Sequence, residues 1–254
     1  MAKLLAEWPA ALGISSADRL VRKLRWRDDV SEGEEAAIRA MVQPPQTYSA
    51  RSYVVREGAP LDRSALLVDG IMARNKSLRD GERQITELHV PGDFADLHAF
   101  TLKRLDHDIV ALSDCRISWV PHDLLREAID LFPHLGRLFW FSTNLDAAIH
   151  RAWTVSLGRR DALQGLAHLL CELQVRLEIV GLADADGYAL PLTQHDLADC
   201  LGLTAVHVNR VLRELRELRL VTVRSSRVTI ADLGRLRQIA EFSPDYLFLE
   251  RRAM

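Results

Sequence analysis

Residues 193–215 hold two short segments separated by Gly202-Leu203. The first is Thr193-Gln194-His195-Asp196-Leu197-Ala198-Asp199-Cys200-Leu201, and the second opens at Thr204 and carries Val208, Val211, Leu212 and Leu215. Apolar residues three and four positions apart specify helices, and a glycine between two short helices permits the tight turn of a helix-turn-helix. Thr193 with Asp196 three residues on supplies one helix start, and Thr204 supplies a second. In the second helix the aliphatic side chains share one side, while Val206, Asn209, Arg210 and Arg213 recur at i, i+3, i+4 and i+7 on another. Packing the aliphatic side on Leu197, Ala198 and Leu201 turns the polar side outward, where it has the chemistry to enter a DNA major groove.

The formal net charge is -2, which argues against a chain that coats nucleic acid indiscriminately and requires any basic patch to be local. Between Leu203 and Thr229 the chain carries Arg210, Arg213, Arg216, Arg219, Arg224 and Arg227 against Glu214 and Glu217. Arginine pairs in two-pronged fashion with guanine, Asn with adenine, and a small apolar group such as Val206 can touch a thymine methyl. Arg210, next to the turn and on the face left free by packing, is the first choice for base reading. Thr193, Gln194, Thr204 and His207 suit the DNA backbone, Arg213 suits phosphate or solvent, and Arg224 or Arg227 could anchor phosphate in the same way. A solvated face balanced by Glu214 and Glu217 is the simpler account of Arg216 and Arg219.

Upstream, Asp18 to Trp26 reads as a helix, Ser31 with Glu34 as the capping box of a second, and Pro44-Pro45 as its end. Short apolar or alternating runs follow: Ser52 to Arg56, Ala65 to Lys76, Arg83 to Val90, His107 to Leu112 and Arg116 to Val120. Turn residues such as Glu57-Gly58-Ala59-Pro60 and Pro91-Gly92-Asp93 separate them, the pattern of a β-barrel or jelly roll. His122 to Leu131 is a short helix. From Leu135 the positions Leu138, Phe141, Leu145, Ala148, Ala152 and Val155 step by three and four, as in the seam of a two-stranded coiled coil. The neighbouring Phe139, Trp140, Ile149 and Trp153 widen the apolar face and fit equally a helix packed on its own barrel. Gly158-Arg159-Arg160 is the expected hinge before a helix from Asp161 to Val180. A hairpin over Leu220 to Ile230 and a helix over Leu233 to Glu241 follow the helix-turn-helix. The expected division is a sensor barrel over 1–133, a central dimerisation helix over 134–157 and a DNA-binding unit over 158–254.

At 254 residues with 48% hydrophobic content the chain can bury two cores. No apolar run reaches the ~20 residues of a membrane span, and the acid in Met1-Ala2-Lys3-Leu4-Leu5-Ala6-Glu7-Trp8 interrupts any signal-peptide core, so a cytoplasmic protein is expected. Cys115, Cys171 and Cys200 are too few and scattered for a disulfide framework or thiolate metal centre. His89, His98, His107 and His122 show no metal-ligand spacing, so neither a metal, a cofactor nor a cupin-like enzyme is expected.

The run Thr193-Gln194-x-Asp196-Leu197-Ala198, Gly202-Leu203-Thr204 and Val208-x-Arg210-x-Leu212 resembles the Crp/Fnr family of bacterial transcription regulators. Asp69-Gly70, Asp80-Gly81-x-Arg83-Gln84-Ile85 and Pro91-Gly92-Asp93-Phe94 extend the resemblance over nearly the whole chain. It implies an α+β fold: an N-terminal double-stranded β-helix of cyclic-nucleotide-binding type, a dimerising central helix and a C-terminal winged helix-turn-helix. It also implies a homodimer on a palindromic operator in double-stranded DNA, with RNA polymerase as a further partner. Arg210 falls at the family's base-reading arginine, while Ala205 and Val206 stand where many members carry a polar base reader.

The sensor half departs from the members that bind cyclic AMP. Gly92-Asp93-Phe94 is followed by Ala95-Asp96-Leu97 rather than Gly-Glu, and the phosphate region reads Leu105-Asp106-His107-Asp108, which would set two carboxylates against an anion. The N-terminal cysteine cluster of the iron-sulfur members is missing. An unknown small-molecule effector would then meet Arg83, Asp96, His107 and Asp108. A barrel that works without ligand, and an interaction module whose helix-turn-helix is only structural, remain as alternatives.

Overall fold

The structure, a computed structural model, describes residues 15–253, so the reading of Met1 to Trp8 lies outside the described residues. Two helices open it: α1 (Asp18–Arg27) and α2 (Glu32–Met41), the second started by the expected capping box of Ser31 and Glu34. Seven strands follow: β1 (Gln46–Tyr48), β2 (Tyr53–Val55), β3 (Arg63–Asp69), β4 (Met72–Ser77), β5 (Arg83–His89), β6 (Asp108–Ala111) and β7 (Cys115–Pro121), with the short helix α3 (Ala99–Leu102) between β5 and β6. They form two antiparallel sheets, β1-β7-β3 and β2-β6-β4-β5, which share an interior of Val55, Leu67, Met72, Ile109, Ile117 and Trp119. The run Ala65 to Lys76 is thus two strands, not one. Gly70 breaks it at φ 94, where a Cβ would lie 2.5 Å from the Asp114 carbonyl, so only glycine fits the corner.

Helix α4 (His122–Leu131) leads to α5 (Pro133–Arg159), 27 residues and about 40 Å long at 1.5 Å per residue. The expected hinge is displaced: Gly158 and Arg159 belong to the last turn of α5, and the helix breaks at the extended Arg160. A second capping box, Asp161 with Gln164, starts α6 (Ala162–Ile179). This helix is buried almost all round, and its two central charged residues, Glu172 and Arg176, are both engaged. Glu172 accepts from Trp153 Nε1 (3.1 Å) and Tyr246 (2.7 Å), and Arg176 pairs with Glu172 (2.9 Å) and Asp93 (2.8 Å).

The remaining elements are β8 (Ala183–Asp184), β9 (Gly187–Ala189), α7 (Gln194–Leu201), α8 (Ala205–Glu217), β10 (Val221–Arg224), β11 (Arg227–Ile230) and α9 (Leu233–Ile239). The expected hairpin of β10 and β11 turns through Ser225 and Ser226, both at positive φ, and extends to a four-stranded sheet in the order β10-β11-β9-β8. Beyond α9, Pro244–Leu247 forms a 3-10 turn in which Leu247 is buried. One apolar cluster runs from Ile71, Ile85 and Leu88 of the barrel through Leu145, Ile149 and Trp153 of α5 to Val208 and Leu215 of α8, so the two halves share a core. Among the described residues, no helix is long and apolar enough to cross a membrane.

Candidate nucleic-acid interface

Local chemistry builds the helix-turn-helix. Thr193 accepts from the Asp196 amide (3.2 Å) while the Asp196 carboxylate accepts from the Thr193 amide (2.8 Å), which satisfies two otherwise orphaned donors at the start of α7. Gly202 closes α7 in the left-handed region (φ 64) with its amide on the Ala198 carbonyl, and Thr204 then caps α8 by accepting from the His207 amide (3.2 Å). Val208, Val211 and Leu215 are buried against the cluster that holds Leu197 and Ala198, and Leu212 is half-buried.

That packing fixes the opposite face of α8. Val206 is 82% exposed, and Asn209, Arg210 and Arg213 are all exposed. Together with Gln194, Thr204, Ala205 and His207 they line an open concavity of about 620 Å³. Within it, Asn209 donates to Gln194 Oε1 (3.2 Å), and an Arg210 guanidinium nitrogen lies 2.8 Å from His207 Nε2. Among the described residues, no carboxylate lies within ion-pairing distance of Arg210. Arg213 is 3.9 Å from Glu217, a loose and solvent-screened contact. Arg227, on the wing, pairs with Asp184 (3.3 Å) and would have to exchange that partner to reach a phosphate.

The expected dimer seam requires correction. Leu138 and Leu145 are buried inside the protomer, in the cluster under the N-terminal helices and in the cluster shared with α6 respectively, and Ala148 is 3% exposed. Phe141 packs edge-on to Phe248, Ala152 is half-buried, and of the six positions only Val155 is exposed. The stripe of α5 that faces solvent is Arg137, Trp140, Asn144, Ala147, Arg151, Thr154 and Gly158, again spaced by three and four, with Trp140 69% exposed.

The expected effector pocket also divides. Arg83 is not in it: from the start of β5 its guanidinium pairs with Asp199 and Asp196 of α7. Asp108 accepts from the Glu57 amide (2.8 Å) and supports a turn. Asp96 and His107 do lie near a common centre, the buried Arg74, which donates to Glu87 (2.6 Å), Asp146 (2.8 Å) and the Ala95 carbonyl (2.7 Å). Burial pushes the Asp96 carboxyl up to about 7 against the Ala65 amide and Arg74, and burial pushes the nearby His98 imidazole down to about 3. Several buried polar atoms here have no protein partner: both Asn75 side-chain atoms, Glu87 Oε1, Asp96 Oδ2 and His107 Nε2. Arg74, Asn75, Glu87 and His150 escaped the sequence reading, because β4 and β5 carry several polar residues each and nothing local marks which of them are enclosed. Among the described residues no group of three or more His, Cys, Asp or Glu could hold a metal, and burial raises the Cys200 thiol well above its usual range.

Comparison with known proteins bears directly on both halves. Residues 164–239 match the Crp-like helix-turn-helix domain, and residues 45–131 match the cyclic nucleotide-binding domain. The chain is 29% identical over 211 residues to the transcriptional activator protein FnrL of Cereibacter sphaeroides, covering 81% of this chain and 84% of that one. It is 26% identical over 205 residues to the nitrogen fixation regulation protein FixK of Azorhizobium caulinodans, covering 80% and 82%. Among solved structures, FixK2 of Bradyrhizobium japonicum superposes with a TM-score of 0.70 at 26% identity, covering 77% of this chain and 96% of that one.

Proposed function

Because this chain belongs to the Crp/Fnr family of DNA-binding transcription regulators, we propose that it reads its operator through the outward face of α8, with Arg210 on the bases. Asn209 and Val206 share that face, while Thr193, Gln194, Thr204, His207, Arg213 and Arg227 meet the DNA backbone. One observation carries this reading: the aliphatic stripe of α8 is buried, and the arginine beside the turn is exposed with no acid among the described residues to neutralise it. Two copies join along the solvent-facing stripe of α5 that contains Trp140, which sets two reading helices on a twofold axis for a palindromic site. Residues 1–133 act as the sensor, 134–157 as the coupling helix and 158–254 as the DNA-binding unit. The work is done in the cytoplasm without catalysis, and RNA polymerase is the partner that turns operator occupancy into transcription.

A small polar effector, if one is used, meets the barrel around Arg74 and Asp96, where buried polar atoms lack partners. A cyclic nucleotide is disfavoured there, since the Arg74 guanidinium is already held by Glu87, Asp146 and Ala95. Selection of bound fragments from the source genome supplies the operator, and mobility shifts then compare the protein with Arg210→Ala. The variant should lose preference for the operator by ~1 to 3 kcal/mol while keeping low-salt non-specific binding. Unchanged preference removes Arg210 from base reading.

A further inference from the structure

The barrel grips the first helix of the reading unit along its length. Arg51, in the turn between β1 and β2, bonds both carboxylate oxygens of Asp196, one at 2.7 Å, and lies 3.4 Å from the Thr193 hydroxyl. Arg83, at the start of β5, pairs with Asp199 and reaches Asp196 at 3.3 Å. Gln84 donates to the Asp199 carbonyl (2.6 Å) and the Cys200 carbonyl (3.3 Å), two acceptors that α7 leaves open at its C-terminal end. Asp196 is fully buried. Burial works to raise its pKa, but the Arg51 and Thr193 hydrogen bonds prevail and hold it below the ordinary carboxylate range. Arg51 itself stands at φ 70, the third residue of a turn closed by the Ser52 amide on the Ser49 carbonyl (3.1 Å), with its own amide on the Ala111 carbonyl (2.7 Å).

We infer that Arg51, Arg83 and Gln84 form a clamp by which the barrel orients the reading head for DNA, with α7 as the held part. The inference rests on the proposed reading by α8. The clamp occupies the flank of α7 that faces the barrel and leaves the concavity around Val206 and Arg210 open, so it orients the reading face without covering it. A shift of the β4–β5 hairpin is thereby passed to α7 directly, in parallel with any motion through the α5–α6 junction. These are positioning residues, since none of them lies on the α8 face.

Charge reversal and rescue test the clamp on the full-length protein. Arg83→Glu and Asp199→Arg singly, and the two together, are compared for amide exchange over residues 194–201 and for affinity to the selected operator fragment. Gln84→Ala is a milder variant that strands no buried charge. Each charge single should weaken operator binding by roughly tenfold and speed exchange in α7, with low-salt non-specific binding and thermal unfolding of the barrel retained, and the double should recover most of the loss. Gln84→Ala should act in the same direction with a smaller loss. Unchanged operator affinity in both charge singles, tighter binding in either, or no recovery in the double overturns the clamp. Arg210→Ala run in parallel separates the two readings: it should lose operator preference with normal exchange in α7, and if it keeps that preference, base reading fails while the clamp is still judged by its own rescue.

Discussion

Arg74 and Arg210 are the same side chain in opposite settings. Arg74 is 3% exposed, and its donors are taken by Glu87, Asp146 and a carbonyl, so it holds the barrel to α5 and has little left to offer another anion. Arg210 is exposed beside the His207 ring, with no carboxylate paired to it among the described residues. The barrel encloses Arg74 and cancels its charge, whereas α8 presents Arg210 uncancelled. What an arginine is for follows from its neighbours, and a count of arginines along the chain does not reveal it.

If that contrast is right, the greatest damage to folding comes from the enclosed side. Arg74→Ala strands the buried Glu87 and should cost about 3–5 kcal/mol in denaturant unfolding, whereas Arg210→Ala should leave unfolding unchanged. A barrel that tolerates Arg74→Ala would break the comparison.

The buried acid beside Arg74 gives the next effect, one that depends on pH. The folded pKa of Asp96 is raised from 3.8 to about 7, so its contribution is fully present below the unfolded value and is lost as pH rises through the folded one. The fall is about 1.4 kcal/mol per pH unit between those limits. Asp96→Asn mimics the neutral acid, so its melting temperature relative to the parent should climb from pH 5 to pH 8. A difference that stays flat across that range refutes the assignment.

Smaller still is the effect at the open face of α5. Trp140→Ala should weaken self-association by about 2 kcal/mol, read as a rise in the dimer dissociation constant by sedimentation, with the protomer fold intact. Leu145→Ala, on the seam expected from sequence, should instead destabilise the protomer. Thr204→Ala comes last, removing the α8 cap for about 1 kcal/mol of thermal stability.

The parts legible in the sequence are those set by local chemistry. Thr193, Asp196, Gly202 and Thr204 mark helix starts and a turn by their own side-chain and backbone preferences, and α7 and α8 follow them. Strands β8 and β9 went unread because at two and three residues they carry no alternation to read, and β9 is fixed by pairing with β11, a partner distant in sequence, while β8 pairs only with β9. On α5, two stripes both step by three and four, and only the packing of α6 and the barrel decides which is enclosed. Arg83 was visible as a charged residue, but its partner lies 116 positions away, so its role in the clamp could not be read from neighbours.

The most direct test is the ratio of operator to non-specific affinity for Arg210→Ala set beside Arg216→Ala, measured at one salt concentration with unfolding followed in parallel. We expect the ratio to collapse for Arg210→Ala by about 5- to 150-fold, to move little for Arg216→Ala, and stability to hold in both. Equal losses in the two variants, or a full ratio in the first, would contradict base reading by the exposed face of α8.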